Sequence, residues 1–110
     1  MIDATLVIEK DLHMRANVYG KENVNTVECL KYFVDTSNDY ALQILMLNET
    51  EIAARILLNC DSLLSSNVFG YYPFFKHVTS INLAHVFNRT GNVRISLKYL
   101  KRALDDGQQC

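Results

Sequence analysis

Apolar residues recur at intervals of three and four positions along most of the chain, a spacing that is typical of amphipathic helices. This spacing predicts an all-α fold with about five helices. The predicted elements are an N-terminal helix over residues 2–18, a helix pair over residues 25–64 and a second pair over residues 73–105. The apolar positions of the first helix are Ile2, Leu6, Val7, Ala16 and Val18. We expect these elements to form one domain over residues 1–110.

Turn-forming residues mark the predicted ends of the helices. Gly20 and Gly91 each follow a helical run, and glycine readily adopts the positive φ that ends a helix. Pro73 suits the first turn of a helix, where its missing N–H costs nothing. Asn25 and Asn48 each precede a glutamate by three positions, which predicts that their side chains cap the helices that follow.

The polar run Thr36–Asp39 has two interpretations. It could be a loop between two helices, or a polar patch on one long helix that continues to Leu47. Neither glycine nor proline interrupts residues 24–47, and these are the residues that break helices most readily. The sequence therefore favours one continuous helix.

The segment Ile81–Leu104 carries a specific pattern of small and large residues. In order, the pattern consists of Ala84, Phe87, Gly91, Ser96, Leu100 and Ala103. The small residues Ala84 and Ser96 let two antiparallel helices approach closely, while larger residues fill the space around that contact. This pattern resembles the tetratricopeptide repeat, a helix–turn–helix unit of about 34 residues that must stack on its neighbours.

A second copy of this pattern occurs 43 residues earlier, at Ala41, Ile44, Asn48, Ala53, Leu57 and Cys60. The offset resembles the longer repeats of the kinesin light chain type. The segment Tyr19–Val24 resembles the stretch that opens such repeats, although its proline is absent. Asn48 and Ile44 replace the glycine and the aromatic residue of the pattern. The resemblance covers about residues 19–106 and implies an array of antiparallel helix hairpins.

Tetratricopeptide domains bind peptides in a concave groove lined by the first helix of each pair. Transferred to matching positions of this sequence, the resemblance implies a groove that contains Asn38, Leu42, Asn82, His85, Asn88 and Arg89. A clamp for acidic C-termini is disfavoured, because Asn38 and Asp39 lie where such a clamp needs a lysine. The implied function is a scaffold that binds a partner protein or peptide. The alternative is a regulatory domain that senses a short peptide and controls an effector module outside this chain.

The segment Val68–Phe75 contains five of the eleven aromatic residues. It could be an exposed anchor for a partner, or a loop whose rings cap the core between the helix pairs. Two pairs and one helix are also fewer than the three repeats that such arrays usually need. We therefore expect self-association through this loop or through the C-terminal pair. The candidate interface residues are Phe69, Tyr71, Tyr72, Phe74, Phe75 and Leu97.

The sequence contains no recognised spacing of catalytic or metal-binding residues. His77 and His85 are two turns apart on one predicted helix, too far apart to share a small ion. Cys60 lies on an apolar face with no basic residue beside it, and Cys29 is similar, so both are expected to be packing residues. We expect no enzymatic activity, no metal and no cofactor.

Charge and hydropathy restrict the partners further. Eleven basic and twelve acidic residues give a net charge of −1, which offers no case for nucleic acid. No apolar run is long enough to cross a membrane, and three widely spaced cysteines favour a reducing compartment. We therefore expect a soluble cytoplasmic protein. Four basic residues on one flank of the last helix could meet a membrane surface or an acidic partner, although a solvated outer face is favoured; they are Arg94, Lys98, Lys101 and Arg102.

Overall fold

The computed structural model describes residues 3–109, and over that range it contains five helices and no strand. The helices are α1 (Ala4–Tyr19), α2 (Val24–Met46), α3 (Thr50–Ser65), α4 (Pro73–Arg89) and α5 (Val93–Gly107). The predicted all-α array of about five helices is confirmed. Ile2, a predicted apolar position of the first helix, lies outside the described residues. Within them, no helix is both long and apolar enough to cross a membrane.

Helix α2 continues without a break through the polar run Thr36–Asp39, which confirms the continuous-helix interpretation. Ser37 and Asn38 are both buried at this point. The Nδ2 atom of Asn38 donates to the carbonyl of Val34 one turn earlier, over 2.8 Å. Part of this polar run therefore lies inside the protein. Helix α2 is long enough to contact α1, α3 and α4.

Of the predicted apolar positions of α1 that the structure describes, only Ala16 packs against the first group of buried residues. Thr5 and Leu12 are buried, whereas Leu6, Val7 and Val18 are exposed. Apolar residues occur on both sides of this helix, so their spacing alone did not distinguish the two faces. Packing against α2 selected the side that contains Leu12.

Both predicted capping boxes are wrong. The N-cap of α2 is Asn23, whose Oδ1 accepts a hydrogen bond from the N–H of Asn25 over 2.9 Å. The N-cap of α3 is Glu49, which makes no side-chain capping bond. Asn48 instead has a φ of +63°, because the chain must reverse tightly between α2 and α3.

The turn between α2 and α3 has the same backbone geometry as the turn between α4 and α5. Asn48 has a φ of +63° and Gly91, 43 residues later, has a φ of +82°. In the first turn the N–H of Glu49 donates to the carbonyl of Ile44 over 3.3 Å, and the residues 43 positions later make the same bond over 2.9 Å. This is the six-to-one bond of a Schellman helix end. The 43-residue offset seen in the sequence thus also relates the backbone of these two turns.

Two clusters of buried side chains form the core. The first cluster is built from α1, α2 and α3 together with Phe69, and it contains Leu12, Cys29, Leu30, Phe33, Val34, Cys60 and Leu64. The second cluster joins α4 to α2 and α3, and it contains Ala41, Ile44, Leu45, Ala53, Ile56, Leu57, Leu83 and Val86. Helix α5 packs on α4 at the end of the array. The Cα atoms span 43 × 37 × 16 Å, so the array is flat. Leu97, Leu100 and Leu104 of its last helix are exposed.

We expect Gly91→Val to lower the free energy of unfolding by about 1–2 kcal/mol, because a β-branched residue is strained at positive φ. A Cβ atom at Gly91 would meet nothing within 4 Å, so the penalty comes from the backbone alone. Thr90→Ser is the control, since Thr90 is the neighbouring residue, has an ordinary φ of −81°, and serine keeps the hydroxyl that donates to the carbonyl of Phe87. Urea denaturation followed by circular dichroism measures both variants. Equal stability of the two variants would contradict the turn geometry.

Candidate functional site

A cleft of about 360 Å³ lies between the two helices of the C-terminal pair. Its floor is made by the small residues Ala84 and Ser96, which are both buried. The hydroxyl of Ser96 donates to the carbonyl of Ala84 over 2.8 Å and so holds the two helices at close approach. We call this surface the α4–α5 cleft. It is lined by Ile81, Ala84, His85, Asn88, Val93, Ser96, Leu97 and Leu100.

The N-terminal pair has an equivalent surface, and there α4 covers it. The residues 43 positions before those of the α4–α5 cleft are Asn38, Ala41, Leu42, Leu45, Thr50, Ala53, Ala54 and Leu57. Four of them are buried in the second core cluster beside Leu83 and Val86 of α4, and two more pack against it. Leu57 is 0% exposed there, whereas its counterpart Leu100 is 47% exposed. The α4–α5 cleft therefore leaves exposed the surface that, in the first pair, is covered by a helix.

Charge is distributed unevenly along the chain, although the net charge is only −1. Residues 1–72 contain ten acidic and five basic residues, whereas residues 73–107, which span α4 and α5, contain six basic and two acidic residues. The cleft thus belongs to a segment with a formal charge of +4. A surface of this sign attracts acidic partners and raises their rate of association.

The cations of α5 fall into two groups. Arg102 forms a bidentate ion pair with Asp61 of α3, over 2.8 and 3.2 Å, so it does not belong to the exposed flank on which it was predicted. Arg94, Lys98 and Lys101 are exposed and have no ionic partner among residues 3–109. Each of the three directly follows an apolar residue of the cleft in sequence. They therefore form a cationic stripe about a quarter-turn from the apolar wall.

The structure places only two of the six predicted groove residues in the α4–α5 cleft. His85 and Asn88 are exposed and line the α4 side of the cleft. Arg89 is also exposed, but it lies outside the lining and donates to Oδ1 of Asn48 over 2.7 Å. This bond ties the end of α4 to the turn between α2 and α3.

Asn38, Leu42 and Asn82 lie at the contact between α2 and α4, and the burial of Asn38 corrects its assignment to a binding groove. Asn38 is only 4% exposed. Its Nδ2 donates to Val34 and to the hydroxyl of Thr79 over 3.1 Å, and its Oδ1 accepts from Asn82 over 2.8 Å. Leu42 is half-buried against the second core cluster. Asn38 thus holds α4 on α2 and cannot contact a partner.

Sequence reasoning missed Ile81 and Val93, which form apolar walls of the cleft. Both are exposed, and neither belongs to the six positions of the size pattern. They could have been predicted by adding 43 to the number of every residue in the surface of α2 and α3 that α4 covers. Ile81 then aligns with Asn38, which contacts α4 directly.

Some aromatic residues of the segment Val68–Phe75 pack on the core, and others are exposed as an anchor for a partner would be. Phe69 is 3% exposed within the first core cluster, so its assignment to an interface is wrong. Tyr72 and Phe75 are partly buried against the same cluster, with ring centroids 5.4 Å apart. Tyr71 and Phe74 remain exposed and stay candidate interface residues.

The buried thiols are poor nucleophiles. Burial raises the pKa of the Cys60 thiol to about 12, and the hydroxyl of Thr79 lies 3.8 Å from its Sγ. Burial, and then the charge of Asp11, also raise the pKa of Cys29. A thiol with a raised pKa is almost wholly protonated at neutral pH, whereas the thiolate is the reactive form. Cys60 and Cys29 therefore act as packing residues.

Because Cys60 keeps its proton in the folded chain, we expect stability to fall as the pH rises above the unfolded thiol value of 9.0. Above that pH the unfolded chain releases a proton that the folded chain retains, so unfolding becomes more favourable. The loss should be about 1 kcal/mol between about pH 8 and about pH 10. Cys60→Ala is the control, because it removes the effect of the Cys60 thiol on the pH dependence of stability and keeps the effects of the tyrosine and lysine side chains. Parallel pH dependence in both proteins, measured by urea denaturation, would refute the raised pKa.

The histidines are dispersed in the structure. His13 is exposed on α1, and His85 lines the cleft. His77 is half-buried, with Nδ1 within hydrogen-bonding distance of the carbonyl of Ala103 on α5. Over the described range 3–109, no group of three or more His, Cys, Asp or Glu side chains could hold a metal ion.

Comparisons with models of known protein families, with curated proteins and with solved structures found no match to this chain. The resemblance to the tetratricopeptide repeat therefore stays a prediction from its own residues. The structure of the chain supplies the remaining arguments about its function.

Proposed function

We propose that this chain is a protein-interaction module that binds a segment of a partner protein in the α4–α5 cleft and catalyses no reaction. The observation that carries this proposal is the 47% exposure of Leu100, beside the complete burial of its counterpart Leu57 under α4. Exposed apolar side chains around a concave surface are typical of binding sites. The resemblance to tetratricopeptide repeats supports the same function, because that family binds peptides with its helix pairs.

The lining of the cleft can provide both affinity and orientation. Leu97 and Leu100 offer apolar surface that a partner would remove from water, at about 25 cal/mol per Å². His85 and Asn88 face them from α4 and offer hydrogen bonds that fix the position of a bound segment. The buried bond between Ser96 and Ala84 keeps the two walls at a fixed distance.

Selection of a displayed peptide library on the immobilised chain tests this proposal. Enriched peptides are synthesised, and their dissociation constants are measured by fluorescence anisotropy. We expect the double variant Leu97→Asp, Leu100→Asp to weaken binding by tenfold or more (about 1.4 kcal/mol), because charges replace apolar contacts.

The matched control is Met46→Asp, Leu47→Asp, since both residues are exposed apolar side chains at the turn between α2 and α3. This control should bind the selected peptides as tightly as the native chain. The proposal fails if no peptide is enriched, or if the selected peptides bind the cleft variant and the native chain equally well. Circular dichroism confirms that each variant is folded.

A further inference from the structure

We infer that the partner segment is an amphipathic helix with acidic residues along the flank that lies over α5. This inference rests on the proposed function and adds the conformation and the charge of the ligand. It follows from three observations: the way α4 occupies the equivalent surface, the residues that differ between the two surfaces, and the cationic stripe on α5.

The chain itself shows which shape fits a surface of this kind. Helix α4 lies on the pair α2–α3 and places Leu83 and Val86 among the residues that correspond to the cleft lining. Polar contacts accompany this packing, since Thr79 and Asn82 of α4 bond to Asn38. The helices of the α4–α5 pair are joined by the same Schellman turn as α2 and α3. A helix is therefore the segment that this geometry accommodates.

The two surfaces differ in ways that define the faces of the bound helix. Where α2 presents leucines at positions 42 and 45, α4 presents His85 and Asn88. Where α3 presents the small residue Ala54, α5 presents Leu97. The partner helix thus needs polar side chains toward α4 and a stripe of large apolar side chains toward α5. Such a stripe recurs at i, i+3, i+4 and i+7.

Charge complementarity distinguishes an acidic helix from helix α1 of a second copy of this chain. Arg94, Lys98 and Lys101 form the cationic stripe beside the apolar wall, and the acidic residues of α4 and α5 are Asp105 and Asp106 at the end of α5. Among the described helices, α1 exposes the largest group of apolar residues, but it carries two acidic and two basic residues. A helix with an acidic flank therefore complements the cationic stripe better than α1 of a second copy does.

Three synthetic peptides of about five helical turns test the inference. The first has leucines at i, i+4 and i+7 with glutamates on one flank, the second has the same leucines with lysines, and the third is a scramble of the first. We expect the glutamate peptide to bind about tenfold or more tightly than either of the others at low ionic strength. The ratio between the glutamate and lysine peptides should fall toward one as salt is added.

Charge reversal of the stripe is the decisive variant. Arg94→Glu, Lys98→Glu, Lys101→Glu should reverse the preference, so that the lysine peptide binds more tightly. Lys21→Glu, Lys31→Glu is the matched control, since both lysines are exposed on other parts of the chain. It should leave the preference unchanged. Leu97→Asp, Leu100→Asp should abolish binding of the glutamate peptide.

Several results would overturn the inference. These are equal binding of the glutamate and lysine peptides, equal binding of the scramble, no binding of the glutamate peptide, and a preference that survives charge reversal. Self-association that disappears in Leu97→Asp, measured by sedimentation, would show that a second copy occupies the cleft. If library peptides without acidic residues still bind the cleft, the proposed function holds and only this inference fails.

Discussion

Phe33→Ala is expected to lower the free energy of unfolding by about 3–5 kcal/mol, the largest single effect that we predict for this chain. Phe33 is 0% exposed and lies in the first core cluster, which joins α1, α2 and α3. Truncation removes the apolar contacts of a whole ring and leaves a cavity that the neighbouring helices fill only in part. Because domains of this size are stabilised by only about 5–15 kcal/mol, the variant should be close to unfolding at room temperature.

The preceding residue supplies the control for this prediction. Tyr32 is also aromatic and lies on the same helix, but it is 61% exposed. Tyr32→Ala should therefore change stability by less than about 1 kcal/mol. Urea denaturation followed by circular dichroism compares the two variants with the native chain. If both variants had the same midpoint, the first core cluster would not be placed as described.

Leu83→Ala is expected to lower the free energy of unfolding by about 2–5 kcal/mol. Leu83 is 0% exposed and is one of the side chains with which α4 enters the second core cluster. Its loss should loosen α4 from the surface of α2 and α3. This substitution also directly tests the packing from which we infer that the α4–α5 cleft accommodates a helix.

Phe74→Ala is the matched control for Leu83→Ala. Phe74 lies on the same helix and is the larger side chain, but it is 60% exposed. Its truncation should change stability by less than about 1 kcal/mol, even though it removes more atoms. Thermal and urea unfolding of the two variants measure the difference. A greater loss for Phe74→Ala than for Leu83→Ala would mean that α4 presents a different face to α2 and α3.

The structure also changes the interpretation of the predicted peptide groove. Asn38 matched a groove position of the tetratricopeptide pattern. Its side chain, however, already forms hydrogen bonds with Val34, Thr79 and Asn82. The same bonds hold α4 where it covers the first pair. The uncovered counterpart is the α4–α5 cleft, to which His85 and Asn88 belong. The candidate site therefore moves from the face of α2 to the end of the array.

The sequence by itself determined the helices, their order and the turn between the last two. Apolar spacing identified every helix to within a few residues, because the helical period is a local property of the chain. Gly91 identified the last turn, because few other residues adopt positive φ readily. The 43-residue offset between the two patterns could also be recognised in the sequence. In the structure, the same offset separates the equivalent turns at Asn48 and Gly91.

Only the tertiary structure decided which side of each helix is buried and which surface remains open. Helix α1 has apolar residues on two sides, and contact with α2 selected the side of Leu12. Arg102 has the same local sequence features as its basic neighbours, but Asp61 is 41 residues away in sequence and reaches it only in the folded chain. Leu57 and Leu100 occupy equivalent positions, and they differ in exposure because α4 packs over one of them. Burial depends on contacts between distant segments, and a local pattern carries no information about which of two equivalent surfaces is covered.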